Sequence, residues 1–149
     1  MKLRKWLPAA LLLMTAILAI VYISSRDKVP EGTIAVEYED QVSYVTTIDM
    51  DAVEIDTELT DAKGETYWLT AVGVELSEVL RKAGVDPATV DQVTVLASDE
   101  YSATVTGDEV RTNGKVCLLL AEDEAPELVV LGDPNRKRNV SNVERITVD

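Results

Sequence analysis

The 149-residue sequence contains no histidine, no phenylalanine and only one cysteine. Without histidine, a serine or cysteine nucleophile has no imidazole to activate it, and the commonest metal ligand is missing. Cys117 has no second cysteine for an intramolecular disulfide, and its setting, VCLLL, is typical of a buried strand in which the thiol acts as a small apolar side chain. We therefore predict no catalytic residue and no metal ligand in this chain.

Positive charge is also scarce, because 14 lysines and arginines are outnumbered by 27 aspartates and glutamates, which gives a formal net charge of −13. Three of the cations, Lys2, Arg4 and Lys5, lie at the extreme N-terminus, whereas every acid lies at or beyond Asp27, so the remainder of the chain is more acidic still. An acidic surface repels phosphate backbones, which excludes nucleic acid as a partner. Cations or basic partners suit it better, and we expect a protein partner or a small ligand.

The longest predominantly apolar, uncharged run extends from Trp6 to Ile23. As a helix it would span about 27 Å, slightly less than the hydrocarbon core of about 30 Å. It lacks a small-x-small cleavage site, so we predict a retained single-pass transmembrane helix, with Trp6 and Tyr22 at the two interfaces. The preceding cations place the N-terminus in the cytoplasm and the rest of the chain outside a bacterial-type cell membrane.

We divide the sequence into a membrane anchor or uncleaved signal (1–25), a linker containing Pro30 and Gly32 (26–32) and one globular domain (33–149). A helix is predicted where VELSEVLRKAG repeats apolar residues with a helical period and then stops at Gly84. A short helical turn follows Asp86, and the spacing of Thr106 and Glu109 is that of a capping box. Alternating or continuous apolar runs predict strands at 34–38, 42–48, 53–59, 65–70, 92–97, 102–105, 115–121, 127–131 and 143–148.

The order of five short segments gives the soluble part a family resemblance. They are GVELSEVL, DEY, LLLA, LVVLGD and VERITV, within residues 57–149. In this order they resemble the oxidoreductase molybdopterin-binding domain of the sulfite oxidase superfamily. The resemblance implies an α+β fold for this part, namely a mixed, partly barrel-like β domain with a few short helices. In the whole chain we expect this domain to follow the single N-terminal transmembrane helix predicted above. It also makes molybdopterin a possible cofactor.

The sequence departs from that family where the family holds its metal. No cysteine occurs in residues 29–72, where the molybdenum ligand of the family lies, and Cys117 does not match that position. We therefore predict no cofactor and favour a non-catalytic ligand- or protein-binding module. The alternative is a redox protein that binds molybdopterin through atypical ligands.

Four residues are the candidates for a binding pocket. Arg136 and Arg138 belong to the densest basic cluster, NRKRN, which the resemblance places near the cofactor. The alternative is a solvated loop that offsets the acidic surface. Asp99 and Tyr101 match an Asp-Gly-Tyr turn of the family, with Glu100 in place of the glycine. SDEY also reads as an ordinary β-turn, in which Asp99 caps the turn and the ring of Tyr101 packs on the core. Without histidine, Asp99, Glu100 and the neighbouring serines do not form a catalytic set.

Overall fold

The computed structural model describes the backbone of residues 7–24 and 28–149, and the side chains of residues 8–18 and 28–149. The architecture is α+β and consists mostly of strands. The helices are α1 (Leu7–Ser24), α2 (Leu76–Lys82) and α3 (Gly107–Arg111), with a 3-10 turn at Pro87–Thr89. The strands are β1 (Ile34–Tyr38), β2 (Gln41–Val45), β3 (Val53–Thr60), β4 (Thr66–Glu75), β5 (Gln92–Ala97), β6 (Ser102–Thr106), β7 (Val116–Leu120), β8 (Glu127–Val130) and β9 (Val143–Val148).

The prediction of a transmembrane helix is wrong. The uncharged run does form a helix, α1, but it has 18 residues and reaches only about 27 Å. In the part of the chain that the structure describes, no helix is both long enough and apolar enough to cross a membrane. The single-pass membrane location, with a cytoplasmic N-terminus and an extracytoplasmic domain, is corrected for the same reason. The predicted interface role of Trp6 and of the Tyr22 side chain lies outside the described residues.

The strands form two sheets, one mixed and one antiparallel. The five-stranded sheet has the order β2-β1-β9-β5-β6, in which β1 and β9 are parallel and the other neighbours are antiparallel. The four-stranded sheet has the order β3-β4-β7-β8 and is antiparallel throughout. In this sheet, β3 and β8 are the edge strands, and Leu128 of β8 forms one isolated antiparallel bridge with Val140.

The hydrophobic core contains side chains from both sheets and from α2. Its largest fully buried members come from α2, from β1, β4, β5, β6, β7, β8 and β9 and from the residue after the 3-10 turn, and they are Leu76, Leu80, Leu118, Leu128, Ile146, Val36, Val74, Val79, Val90, Val93, Val95 and Val105. The apolar residues of α2 recur with the helical period, so one face of this short helix is buried. Burial of that face holds α2 against the sheets although the helix has only seven residues.

Local signals in the sequence are confirmed at several points. Thr106 and Glu109 form the predicted capping box at the start of α3, and Asp86 accepts a hydrogen bond from the Ala88 amide at the 3-10 turn. Strands β1, β5 and β9 have the predicted bounds. Strand β4 is longer than expected and continues directly into α2. Its additional residues include Val74, which is fully buried in the core and lies in extended chain.

Candidate functional site

The SDEY segment forms a tight turn between β5 and β6. The Ala97 amide donates to the Tyr101 carbonyl at 2.8 Å, and the Glu100 amide donates to the Ala97 carbonyl at 3.1 Å. One carboxylate oxygen of Asp99 accepts the Tyr101 amide at 3.1 Å. Glu100 has a φ of 73°, in the left-handed region that favours glycine. The predicted β-turn is confirmed, and Asp99 acts within it as a turn cap.

Tyr101 links this turn to the basic cluster. Its hydroxyl donates a hydrogen bond to the Lys137 carbonyl, so the two candidate segments do lie side by side. The side chain is 48% exposed, and the expectation that its ring packs on the core is wrong. The ring lies at the surface, and there the hydroxyl reaches the backbone of the 133–140 loop.

Arg138 lies at the centre of an ion-pair cluster that we call the Arg138 cluster: Arg138, Glu109 and Asp133. The guanidinium forms paired hydrogen bonds with each carboxylate, at 2.8 and 2.8 Å to Glu109 and at 2.8 and 2.6 Å to Asp133. A longer contact of 3.5 Å reaches the Thr104 carbonyl. These contacts use all five donors of the guanidinium, so none is left to bind a phosphate.

The Arg138 cluster has a strong effect on ionisation. Hydrogen bonds from Arg138, together with one from the Thr106 amide, lower the pKa of Glu109 to about 2, although desolvation of the carboxylate acts in the opposite direction. Hydrogen bonds with Glu109 and Asp133 raise the pKa of Arg138. Since Glu109 belongs to α3 and Asp133 follows β8, the cluster joins the end of one sheet to the end of the other. The Arg138 cluster therefore has the geometry of a structural contact between the two sheets.

Arg136 is also engaged by neighbouring side chains. It forms an ion pair of 3.0 Å with Glu127, and its guanidinium carbon lies 5.4 Å from the centre of the Tyr67 ring. That distance is within the range of a cation–π interaction. The two arginines of the basic cluster are therefore directed at acidic and aromatic groups of the chain itself, and they do not converge on a common ligand position.

The donor set does not fit a molybdopterin cofactor. Cys117, the one thiol of the chain, is 1% exposed within β7, and burial together with nearby Glu75 raises its pKa to about 11. A protonated, buried thiol is not a metal ligand. The cations that would meet the phosphate, Arg136 and Arg138, are already paired.

Two cavities are lined by other parts of the chain. One, of about 400 Å³, lies between α2, the 3-10 turn and α3, and its charged groups contact each other or nearby backbone atoms. Within it, Arg111 donates to the Pro87 and Val90 carbonyls, and Glu75 accepts the Gly114 amide. The other, of about 470 Å³, lies beside the β1–β2 turn and the end of β9. Neither is lined by any of the four predicted pocket residues.

A different surface has the composition of a binding site, and it lies on the hairpin of β3 and β4. The even-numbered residues of both strands share one side of this hairpin, which we call the outer face. It consists of Glu54, Asp56, Glu58, Thr60, Thr66, Trp68, Thr70 and Val72. Val74, on the same side of β4, is fully buried, whereas Val72 is 46% exposed and Trp68 is 64% exposed. The hairpin thus extends beyond the core and presents an aromatic side chain to solvent.

Trp68 is held in a fixed position on the outer face. Its indole N–H donates to an Asp56 carboxylate oxygen, and the Thr70 hydroxyl donates to the same oxygen at 3.1 Å. Asp56 lies on β3, so the bond to it directs the Trp68 ring from β4 toward the sheet edge. A positioned, exposed aromatic ring beside carboxylates is typical of surfaces that bind cationic groups.

The acids of the outer face have no cationic partner within the described residues. Every arginine or lysine in the ion pairs of that part of the chain contacts an acid elsewhere. The surrounding segment, residues 49–65, adds to the negative field because it carries seven acids and one lysine. The sequence predicted the strand at 53–59 from its alternating pattern but gave no role to Trp68. The available signal was that Trp68 lies two residues from both Thr66 and Thr70. Residues two apart in a strand lie on the same side of the sheet, which places the indole on the polar side of β4.

Comparisons of the chain with protein-family models and with curated proteins gave no match. The resemblance to the oxidoreductase molybdopterin-binding domain therefore stays a prediction.

Proposed function

We propose that this chain is a non-catalytic protein-binding module that binds a basic segment of a partner through the outer face. The observation that carries the proposal is the exposed indole of Trp68, held by Asp56 among carboxylates that lack a cation. An exposed aromatic ring on an otherwise polar sheet face has an energetic cost in water that a bound partner removes.

Charge determines the chemistry of the partner. The acids of the outer face repel each other and any anionic surface, whereas lysine or arginine side chains would neutralise them. A lysine or arginine stem also has enough apolar length to pack on the indole and on Val72 while its charged end meets a carboxylate. The same field accelerates the encounter with a cationic segment at low ionic strength.

The test uses the full chain and a labelled short peptide, capped at both ends, in which three lysines alternate with two valines between terminal threonines. We expect saturable binding by fluorescence anisotropy that weakens as the ionic strength approaches about 0.5 M. Replacing the lysines by glutamates should abolish binding. A lysine peptide that does not bind the wild-type chain would overturn the proposal.

The chain contains a matched set of acids for the control. The outer-face variant is Glu54→Gln, Asp56→Asn, Glu58→Gln, and the control variant is Glu122→Gln, Asp123→Asn, Glu124→Gln, which removes the same number and type of charges from an exposed loop. At about 0.5 kcal/mol per charge, the outer-face variant should bind about tenfold more weakly. The control variant should bind within about twofold of wild type, since its loop lies outside the outer face. Equal loss in the two variants would show that only net charge matters and would contradict the proposal.

A further inference from the structure

We propose that the basic segment binds as an added antiparallel strand along the open edge of β3. This inference rests on the proposed function and specifies how the partner is held. Strand β3 has β4 as its strand neighbour on one side, and among the described strands none pairs with its other side. At eight residues it is long enough to pair with an extended segment.

The hydrogen-bond register identifies which backbone groups of β3 point to the open edge. The Asp61 amide donates to the Glu65 carbonyl at 2.8 Å, so this pair at the end of the hairpin is of the hydrogen-bonded type. Hydrogen-bonded and non-hydrogen-bonded pairs alternate along antiparallel strands. The pairs formed by Glu58, Asp56 and Glu54 with β4 are therefore non-hydrogen-bonded, and the amides and carbonyls of these three residues point away from β4.

The same three residues supply both the backbone groups and the charges. A residue that pairs with Asp56 across the open edge exchanges two backbone hydrogen bonds with it, and its side chain lies on the outer face. Lysine or arginine at every second position of an added strand would thus meet Glu54, Asp56 and Glu58 in turn. Acidic side chains on an edge strand also prevent pairing with a second copy of the same chain, because the charges would then repel. The acids of β3 therefore favour pairing with a cationic strand and oppose pairing with a second copy of β3.

The position of Trp68 supports this arrangement. Its hydrogen bond with Asp56 directs the indole from β4 toward β3, where a long cationic side chain of the added strand, paired with Asp56, reaches it. The intervening residues of the added strand would lie on the opposite side of the sheet, beside Ile55 and Thr57. That side contains the apolar Ile55 and Leu59, which suits valine at those positions.

The experiment compares two N-methylated forms of the lysine peptide with the unmethylated form. In the proposed register the lysine amides donate to β3 and the valine amides point outward. Methylation of the lysine amides should therefore weaken binding at least tenfold, through loss of backbone hydrogen bonds, whereas methylation of the valine amides should change it less than about threefold. Equal effects, or a larger effect of valine methylation, would overturn the antiparallel strand.

Amide hydrogen exchange of the full chain gives an independent readout. Saturation with the unmethylated peptide should slow exchange at the Asp56 and Glu58 amides at least tenfold, while the Ile55 and Thr57 amides, already paired with β4, should change little. Unchanged exchange at Asp56 and Glu58 would overturn strand addition. A peptide that binds through the acids of the outer face without these effects would leave the proposed function standing, whereas the absence of any binding would overturn both.

Discussion

The Arg138 cluster and the outer face contain similar acids but differ in what surrounds them. In the Arg138 cluster, two carboxylates with 12% and 20% side-chain exposure share one guanidinium that satisfies both. On the outer face, Glu54, Asp56 and Glu58 are exposed, and no cation pairs with them within the described part of the chain. Acids that are paired and partly desolvated stabilise a fold, and acids left in solvent beside an aromatic ring remain available to a partner.

The largest effect on stability should follow removal of Arg138. Arg138→Ala leaves two carboxylates close together without a cation, and we expect the free energy of unfolding to fall by about 2–3 kcal/mol. Urea denaturation would measure it. Arg81→Ala is the control, because the Arg81–Glu78 pair is largely exposed and should contribute at most about 0.5 kcal/mol. Equal losses in the two variants would remove the distinction between the cluster and surface pairs.

Glu109→Gln tests whether the stabilising contribution depends on pH. The folded-state pKa of Glu109 is about 2, below its ordinary value of 4.5. A lowered pKa stabilises the fold above the ordinary value, and this contribution is lost as the pH falls toward the folded-state pKa. Wild type should exceed the variant by on the order of 2 kcal/mol at pH 7. The difference should decrease from about pH 4.5 and vanish near pH 2; a constant difference across that range would contradict a role for the charge.

A smaller effect is expected at the β5–β6 turn that carries Tyr101. Glu100 has a φ of 73°, so Glu100→Gly relieves the steric cost of the left-handed conformation. Part of the gain is offset by the greater freedom of glycine in the unfolded chain, which leaves an increase in stability of about 0.5–1 kcal/mol. Ser98→Gly in the same turn is the control and should decrease stability, because the φ of Ser98 is not positive. Thermal denaturation of both variants would check the sign.

The smallest effect on stability is expected on the outer face. The Glu54→Gln, Asp56→Asn, Glu58→Gln variant should unfold within about 0.5 kcal/mol of wild type, because exposed acids without a cationic partner contribute little to the fold and the Asn amide oxygen can still accept the hydrogen bonds of Trp68 and Thr70. Its loss should be confined to binding of the lysine peptide. A large loss of stability, measured by urea denaturation, would show that these acids stabilise the fold as Glu109 does, and it would contradict the contrast between the two regions.

Much of the local structure could be predicted from the sequence because its causes are local. The alternation of residues 53–59 indicated a strand with acids on one side, and the Thr106–Glu109 spacing indicated the capping box. The segment 7–24 was also recognised as a helix from its composition. Its assignment as a membrane span was wrong, since its length falls at the lower limit where composition alone is not decisive.

The candidate site was predictable only in part. The proximity of the SDEY turn to the basic cluster is real, because Tyr101 bonds to the Lys137 carbonyl. The role of Arg138 was not predictable, since its partner Glu109 lies 29 residues away in the chain. A basic cluster in a sequence indicates that cations are present, but not which acids the fold brings to them.

The sequence by itself determined the strand periods, the α2 pattern and the acidic charge of the chain. These follow from residue types and from spacings of a few positions. Only the tertiary structure decided that β1 lies parallel to β9, that β3 is an edge strand, and that Asp56 holds Trp68 at that edge. Such features depend on contacts between distant segments, whose formation is governed by burial of the whole core and not by any local preference.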